Sequence, residues 1–379
     1  MKSGRYALFI IASIIISGIL ACSTNKENPE TVNVGAILPL TGNSSFIGEW
    51  TKNGIDLAFT EKINKEEINK SEKHKNIGVV YGDSKADPKE GVAILNNFIS
   101  IYKVPVAICA ITSVTNALKP IADARKVILF ATAVSAAGIT EESRYTFRLF
   151  ITADIDAKTM ASYAAQKLNA KRVGILFVND DMGVSFSKVF KKTFLELGGT
   201  IPFEESFNVG TTDFRSIAAR IKKIQADAIY ILGYDNNLAI IPRQLRESGI
   251  KATFLSVGTI GQANVLRQAK EALDGTYFTT TAFSADNPQT EGAKRFVELY
   301  EKKFGNLPNY FSAFSYDVMS LIIEAISVAG NDVEEIRNIL LNTRDFNGVS
   351  GKISIKPNGD ADFPMVVKVI RNGRIEDAD

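Results

Sequence analysis

Histidine and cysteine are nearly missing. The 379 residues hold one His and two Cys, and that scarcity removes whole classes of chemistry. A site built on two histidines cannot exist, which excludes HExxH zinc hydrolases and carboxylate–histidine metal triads. Two cysteines supply neither a Cys₄ or Cys₂His₂ zinc site nor a disulfide framework. A dominant charge sign is also lacking: 44 Lys+Arg against 42 Asp+Glu leave a net +2, without the basic excess of a nucleic-acid binder. There is no GxSxG elbow, no GxxxxGK[ST] phosphate loop and no CxxC pair. The stretch GAILPLTG, residues 35–42, lacks the GxGxxG spacing. A Ser–His–Asp triad would have to use His74, inside the charged stretch 62–75 (KINKEEINKSEKHK), which reads as a solvated helix end and loop. The adjacent carboxylates Asp180 and Asp181 could do acid–base work, but beside a helix start they read as caps or hinge contacts. Binding without catalysis is the expectation, with no metal and no cofactor.

What is present is ordinary globular composition, 45% hydrophobic and 23% charged, at a length that suggests two domains. Lys2 and Arg5 precede an apolar run, Tyr6 to Leu20, of signal-peptide length and short for a membrane span. It ends in Ile19-Leu20-Ala21-Cys22-Ser23, similar to a bacterial lipobox, in which the cysteine becomes the lipidated first residue. A plain signal peptide with an incidental cysteine, or an uncleaved anchor, is the alternative. Acyl chains on Cys22 would hold the protein at a membrane surface, each buried CH₂ contributing about 0.8 kcal/mol. Losing residues 1–21 removes Lys2 and Arg5 and leaves no net charge. Residues 22–31 then read as a polar tether. Cys109, in the apolar run Val104–Ile111, reads as a buried small hydrophobe.

From Val32 the pattern alternates. Short β-rich runs fall at Val32–Leu38, Asn76–Tyr81, Val104–Ile111 and Val127–Phe130, with helical spacing between them, as at Ile55, Ala58, Phe59 and Ile63. A second set starts over: strands at Arg172–Val178, Ala228–Leu232 and Phe254–Val257, helices at Thr159–Leu168 and Leu238–Ser248. One helix carries Phe186, Val189, Phe190, Phe194 and Leu197 on a face and stops at Gly198-Gly199. Asp213 reads as the N-cap of another, and further helices cover Glu291–Phe304 and Ser315–Ala329. Such alternation implies an α/β fold of two Rossmann-like parallel-sheet lobes. Parallel sheets bind ligands beyond the carboxyl ends of their strands, which points to the loops after Leu38, Ile111, Phe130, Val178, Leu232 and Val257.

In the order and spacing of VNVGAILPLTGNSSFIGEWTKNGIDLA, GDSKADPKEGVA, the Ser113 loop, FVNDDMG, GTTDFRSIAARIKKIQADAIYILGY, RQLRESGIKATFL, LDGTYFTT and FNGVSGKISIKPNGD, the chain resembles the type I periplasmic solute-binding proteins, in the leucine/isoleucine/valine-binding branch that serves ABC transporters. The likeness runs from Val32 to Asp379. It implies two lobes joined by a three-strand hinge, with crossings near Phe147–Thr152, Thr279–Phe283 and Phe346–Ser350. Residues 32–149 with 282–347 would form one lobe, and 150–281 with 348–379 the other. A small molecule would bind between them, hinge closure would follow, and a monomer would present its cargo to an ABC permease.

The resemblance also implies site residues. Ser113 matches the family's carboxylate-binding serine, beside Ile111, and would act with the amides of a helix N-terminus. Ser135 matches a paired threonine, Ala133 a backbone carbonyl position, and Tyr234 a cleft tyrosine. The serines could equally be helix caps. Three positions depart from the family: Ile47 and Met182 replace aromatic residues, and Gly258 stands where leucine-binding relatives carry the acid that pairs an ammonium. Asp235 or Asp181 could substitute for that acid with a shifted geometry. The family's disulfide positions are Ala86 and Thr112 here. The implied ligand is a branched-chain amino acid or a related carboxylate or amide. The rivals are a ligand-sensing module on the same fold, a cleft hydrolase or lyase, and a surface lipoprotein that binds only proteins.

Overall fold

A computed structural model of the chain describes residues 31–63, 76–136 and 138–378. The signal segment, Cys22, the tether up to residue 30 and His74 lie outside the described residues.

The first half builds β1 (Val32–Leu38), α1 (Ser45–Ile63), β2 (Ile77–Asp83), α2 (Pro88–Ser100), β3 (Val106–Cys109), α3 (Thr112–Arg125), β4 (Ile128–Ala131) and β5 (Thr146–Arg148). The strands pair in parallel, in the order β2-β1-β3-β4-β5. Alternate side chains serve opposite faces. Val34, Ala36, Leu38, Val106, Ile108, Ile128 and Phe130 pack into one core, and Ile37, Ala107, Cys109, Leu129 and Ala131 into the other. Cys109 is fully buried in β3, where desolvation pushes its thiol up to about 12.

The chain then crosses over residues 149–152 into α4 (Ala153–Gln166), followed by β6 (Val173–Val178), α5 (Asp181–Glu196), β7 (Glu204–Phe207), α6 (Arg215–Ile221), β8 (Ala228–Leu232), α7 (Asp235–Glu247), β9 (Thr253–Val257), α8 (Ala263–Ala269) and β10 (Thr276–Thr281). It returns to the first core as α9 (Glu291–Phe304), α10 (Tyr310–Ala329) and α11 (Val333–Leu341). The tail adds β11 (Phe346–Gly348), β12 (Gly351–Ile355), β13 (Ala361–Asp362), β14 (Met365–Arg371) and β15 (Arg374–Asp377). The second sheet has seven strands in the order β15-β14-β10-β9-β8-β6-β7, parallel except for β14 and β15.

Several expectations shift. The tail splits: Val349, Ile353, Ile355, Ala361 and Phe363 pack into the first core, and only β14 and β15 join the second sheet. The third crossing therefore runs at Phe363–Met365, not at Phe346–Ser350. Residues 348–363, expected in the second lobe, share the first core. The cause is a buried carboxylate: Asp317 of α10 accepts the amides of Val349 (2.8 Å) and Ser350 (2.9 Å) and so docks the β11–β12 turn. A Cβ on Gly348 would lie 2.6 Å from Asp317 Oδ2, so the approach requires glycine. The N-cap of α6 is Phe214; Asp213 instead pairs with Arg215 (2.7 Å). Leu197, expected on the buried face of α5, is 42% exposed, because the helix ends at Glu196. One described helix, α10, is long and apolar enough to cross a membrane, but 78% of its apolar window is buried inside the protein.

The second half carries its own buried carboxyl. Asp156 of α4 faces β8 and β10, where Thr279 Oγ1 donates to it and the unpartnered Tyr230 hydroxyl lies close by. Desolvation raises the Asp156 carboxyl to about 7, against the opposing Thr279 bond. The folded protein thus holds this proton more tightly than the unfolded chain. Its contribution to stability is fully present below the ordinary carboxylate range and is lost as pH rises to about 7. Asp156→Asn is therefore expected to gain stability relative to the parent between pH 5 and pH 8, by on the order of 1–3 kcal/mol. Thermal melts across that window check it; parallel curves for the two proteins would refute the assignment.

Candidate functional site

Parallel registration brings the strand ends of each sheet to one edge. In the first sheet Leu38 pairs with Asp83, Cys109 with Ala131 and Ala131 with Arg148. The loops that follow these strands, with Ile47, Ile111, Ser113, Ala133 and Ser135, all leave from that edge. In the second sheet Val178 pairs with Phe207, and Thr279 with Val257 near the ends of β10 and β9. Met182, Tyr234, Asp235 and Gly258 leave from that edge. The 149–152 crossing is short, and the Ala153 amide at the start of α4 donates to Ser135 O (3.2 Å). Asp156, one turn on, meets Thr279 close to the end of β10. The carboxyl edges of both sheets therefore meet at the crossing.

On the first edge, Ser113 lies in the first turn of α3 and is exposed; Ser135 is half-buried in the loop after β4. Neither caps a helix: Ile111 is the N-cap of α3 and makes no side-chain bond there. Neither hydroxyl has a hydrogen-bond partner among the described residues. The first amides of α3 are also free of intrahelical partners, as in any helix, and carry the positive end of its dipole. Two non-glycine residues here adopt left-handed backbone, Ile111 (φ 72°) and Ala133 (φ 55°). Such backbone costs of order 1 kcal/mol and persists only where the surroundings hold it.

The loop before Ile47 is tied down by Asp83, which accepts the amides of Leu40 (2.8 Å), Thr41 (3.2 Å) and Lys85 (2.9 Å) and the Thr41 hydroxyl. Burial works against ionisation, but these bonds win and hold the carboxyl below its ordinary range. Ile47 is half-buried in the first turn of α1. Its neighbour Phe46 is 51% exposed and meets Phe311 edge-on. Gly48 brings α1 against the end of β1, since a Cβ there would lie 2.1 Å from Pro39 O.

On the second edge Asp180 is the N-cap of α5; one oxygen accepts the Gly183 amide (2.9 Å) and the other the Tyr234 hydroxyl (2.8 Å). The pair ties the β6 and β8 loops together. Burial, then the charge of Asp180, raises the Tyr234 phenol. Met182 is half-buried against both cores of the second half. Asp235 opens α7. Gly258 follows β9, and a Cβ there would lie 3.2 Å from Thr279 O, so any side chain at 258 would press on β10. Asp180, which the sequence marks as a cap beside a helix start, is one; Phe46 and Asp83 carry no signal in the sequence that sets them at this edge. Among the described residues, no group of three or more His, Cys, Asp or Glu side chains could hold a metal. A depression of about 240 Å³ lined by Val32, Asn33, Tyr102 and Lys103 lies at the opposite, amino edge of the first sheet.

The chain as a whole resembles proteins already known. The profile of the periplasmic binding protein family matches residues 31–374. The Leu/Ile/Val-binding protein homolog 2 of Brucella abortus is 28% identical over 368 residues, 96% of each chain. The leucine-binding protein LivK of Thermotoga maritima superposes with a TM-score of 0.79 at 30% identity, over 92% of this chain and 98% of that one. A solute-binding protein of an ABC transporter from Rhodopseudomonas palustris, solved with 3,4-dihydroxybenzoic acid, gives a TM-score of 0.77 at 25% identity, over 92% and 95%. All three are binding proteins and none is an enzyme. With the family's profile spanning nearly all of its described residues, and with the family's two α/β halves in place, the chain belongs to the periplasmic binding proteins.

Proposed function

We propose that this protein is an extracytoplasmic solute-binding lipoprotein of an ABC importer, which captures a small carboxylate or amide between its two lobes and delivers it by hinge closure. The observation that carries this reading is the pair of unpartnered hydroxyls, Ser113 and Ser135, on one edge with the free amides of α3. Hydroxyls and helix N-terminal amides together suit an anionic group. Tyr234, Met182 and Gly258 form the facing wall from the second lobe, and Ile47 and Ile111 are aliphatic neighbours on the first. A ligand that touches both edges favours the closed state by the contacts made only there.

The ligand class is a branched-chain amino acid or a related acid. The amino-acid reading leans on the Brucella and Thermotoga relatives; the alternative leans on Gly258. No carboxylate stands at 258, and the acids on that edge are Asp180, Asp181 and Asp235 at helix starts. Asp180 is already engaged by Tyr234 and Gly183. An ammonium buried without its counter-charge forfeits several kcal/mol, so a ligand without one, such as an aromatic or branched carboxylate, suits the pocket better. Lipid on Cys22 would keep the protein beside its permease as a monomer.

A thermal-shift panel of leucine, isoleucine, valine and substituted benzoates separates the two classes. The carboxylates without an ammonium are expected to give the larger stabilisation; strong stabilisation by micromolar leucine, isoleucine or valine would reverse the ranking. Ser113→Ala is expected to weaken binding of the stabilising acid by about 1–3 kcal/mol, the worth of a hydrogen bond to a charged group. Calorimetric titration reads this, and unchanged affinity would mean the site lies elsewhere. Cells fed radiolabelled palmitate are expected to label the wild type and not Cys22→Ala; label on both would sink the anchor.

A further inference from the structure

The largest fully buried side chain of the protein is charged. Arg148, at the end of β5, is 1% exposed. Its Nε donates to Asp360 Oδ1 (2.8 Å), and its Nη1 donates to the carbonyls of Ala136 and of Val134 (3.4 Å). Its backbone amide donates to Gly359 O (2.9 Å). The tail turn around Asn358–Asp360 can come this close because position 359 is glycine: φ is +89°, and a Cβ would lie 2.4 Å from Thr146 O. One guanidinium thus joins two segments far apart in sequence, the tail turn and the loop 133–136.

That loop holds Ala133 in left-handed backbone and carries Ser135, whose carbonyl also receives the Ala153 amide from the first helix of the second half. We propose that Arg148, anchored on Asp360, is a positioning residue for the ligand: it fixes the carbonyls of Val134 and Ala136, and through them sets where Ser135 and Ala133 stand at the edge of the site. The proposal rests on the reading that Ser135 meets the ligand. The planar fork is what the task needs, since it reaches a carboxylate and two carbonyls in fixed directions, whereas an ammonium on a flexible stem offers one point of charge. Nη2 has no hydrogen-bond partner among the described residues.

The test uses the full chain, with L-leucine and 3,4-dihydroxybenzoate titrated calorimetrically in separate arms. Ser135→Ala is expected to weaken the probe that binds by about tenfold. Arg148→Lys and Asp360→Asn are each expected to weaken it to a similar degree, yet by less than about twofold when added to Ser135→Ala, because residues acting through one loop are not additive. A merely structural role would lower Tm in both backgrounds and leave the affinity of the folded protein alone. Hydrogen exchange at the Ala153 amide gives a reading without ligand: about tenfold faster exchange is expected in Asp360→Asn, with the amides of β6 unchanged. Undiminished affinity in both Arg148→Lys and Asp360→Asn, with Ser135→Ala weakened, overturns the positioning role and leaves the ligand site intact. Unchanged exchange at Ala153 overturns it as well. If Ser113→Ala and Ser135→Ala both bind as the parent does, the site itself falls, and the positioning role with it.

Discussion

Parallel pairing sends every strand of a sheet out at the same edge. Here that constraint operates twice, and the crossing at 149–152 sets one edge against the other. Cys109, Ala131 and Arg148 end in register and Leu38 runs one residue further, so the loops behind them leave from one edge before any side chain ties them. The residues of the proposed site are those the loops carry: hydroxyls and helix amides on one side, a tyrosine, a methionine and a glycine on the other. Two glycines refine the arrangement. Gly48 and Gly183 let α1 and α5 start directly against the ends of β1 and β6, where a Cβ would lie about 2 Å from a carbonyl oxygen (2.1 and 1.9 Å). The helix termini are thereby brought down to the strand ends.

Most of the alternation is legible in the sequence, since strands such as Val173–Val178 and Ala228–Leu232 are near-continuous apolar runs packed on both faces. Short strands are not. Thr146–Arg148 and Glu204–Phe207 carry no distinctive run, and they exist because a neighbouring strand offers a free edge. The tail was misassigned for a related reason. Its glycine-spaced β segments look alike along 346–377, and what divides them is Asp317, thirty-odd residues upstream, holding Val349 and Ser350. The loop positions of Ser113, Ser135, Tyr234 and Gly258 follow from strand ends plus a resemblance. Arg148 and Asp156 could not be read, because nothing local separates a buried charge from an exposed one.

Arg148 and Asp156, both buried, flank the first crossing, one directly before residue 149 and the other in the first turn of α4, and they do different things. Arg148 is paired and reaches two carbonyls; its partner, on the tail turn, belongs to the last segment of chain to join the first core. Asp156 has a single hydroxyl donor and lies within the second half. Desolvation is opposed by an ion pair in the first case and by one neutral hydrogen bond in the second. Asp156 is thereby pushed toward its neutral form. The crossing is thus fixed on the first side by a charged anchor and on the second by a group close to neutrality.

Ligand capture by two lobes has an entropic cost wherever the binding loops must first be ordered. The first edge has met much of that cost in advance. Asp83 holds residues 40–41 and 85, Arg148 holds 134 and 136, and the Ala153 amide holds 135. The left-handed backbone of Ala133 lies next to the carbonyls that Arg148 holds. On the second edge the Asp180–Tyr234 bond, which spans the β6 and β8 loops, is exposed. In the proposed function, the ligand's contacts on the first lobe would then be made to backbone that is already anchored. In that proposal Gly258 brings no charge to the ligand, and a Cβ there would press on the Thr279 carbonyl, 3.2 Å away.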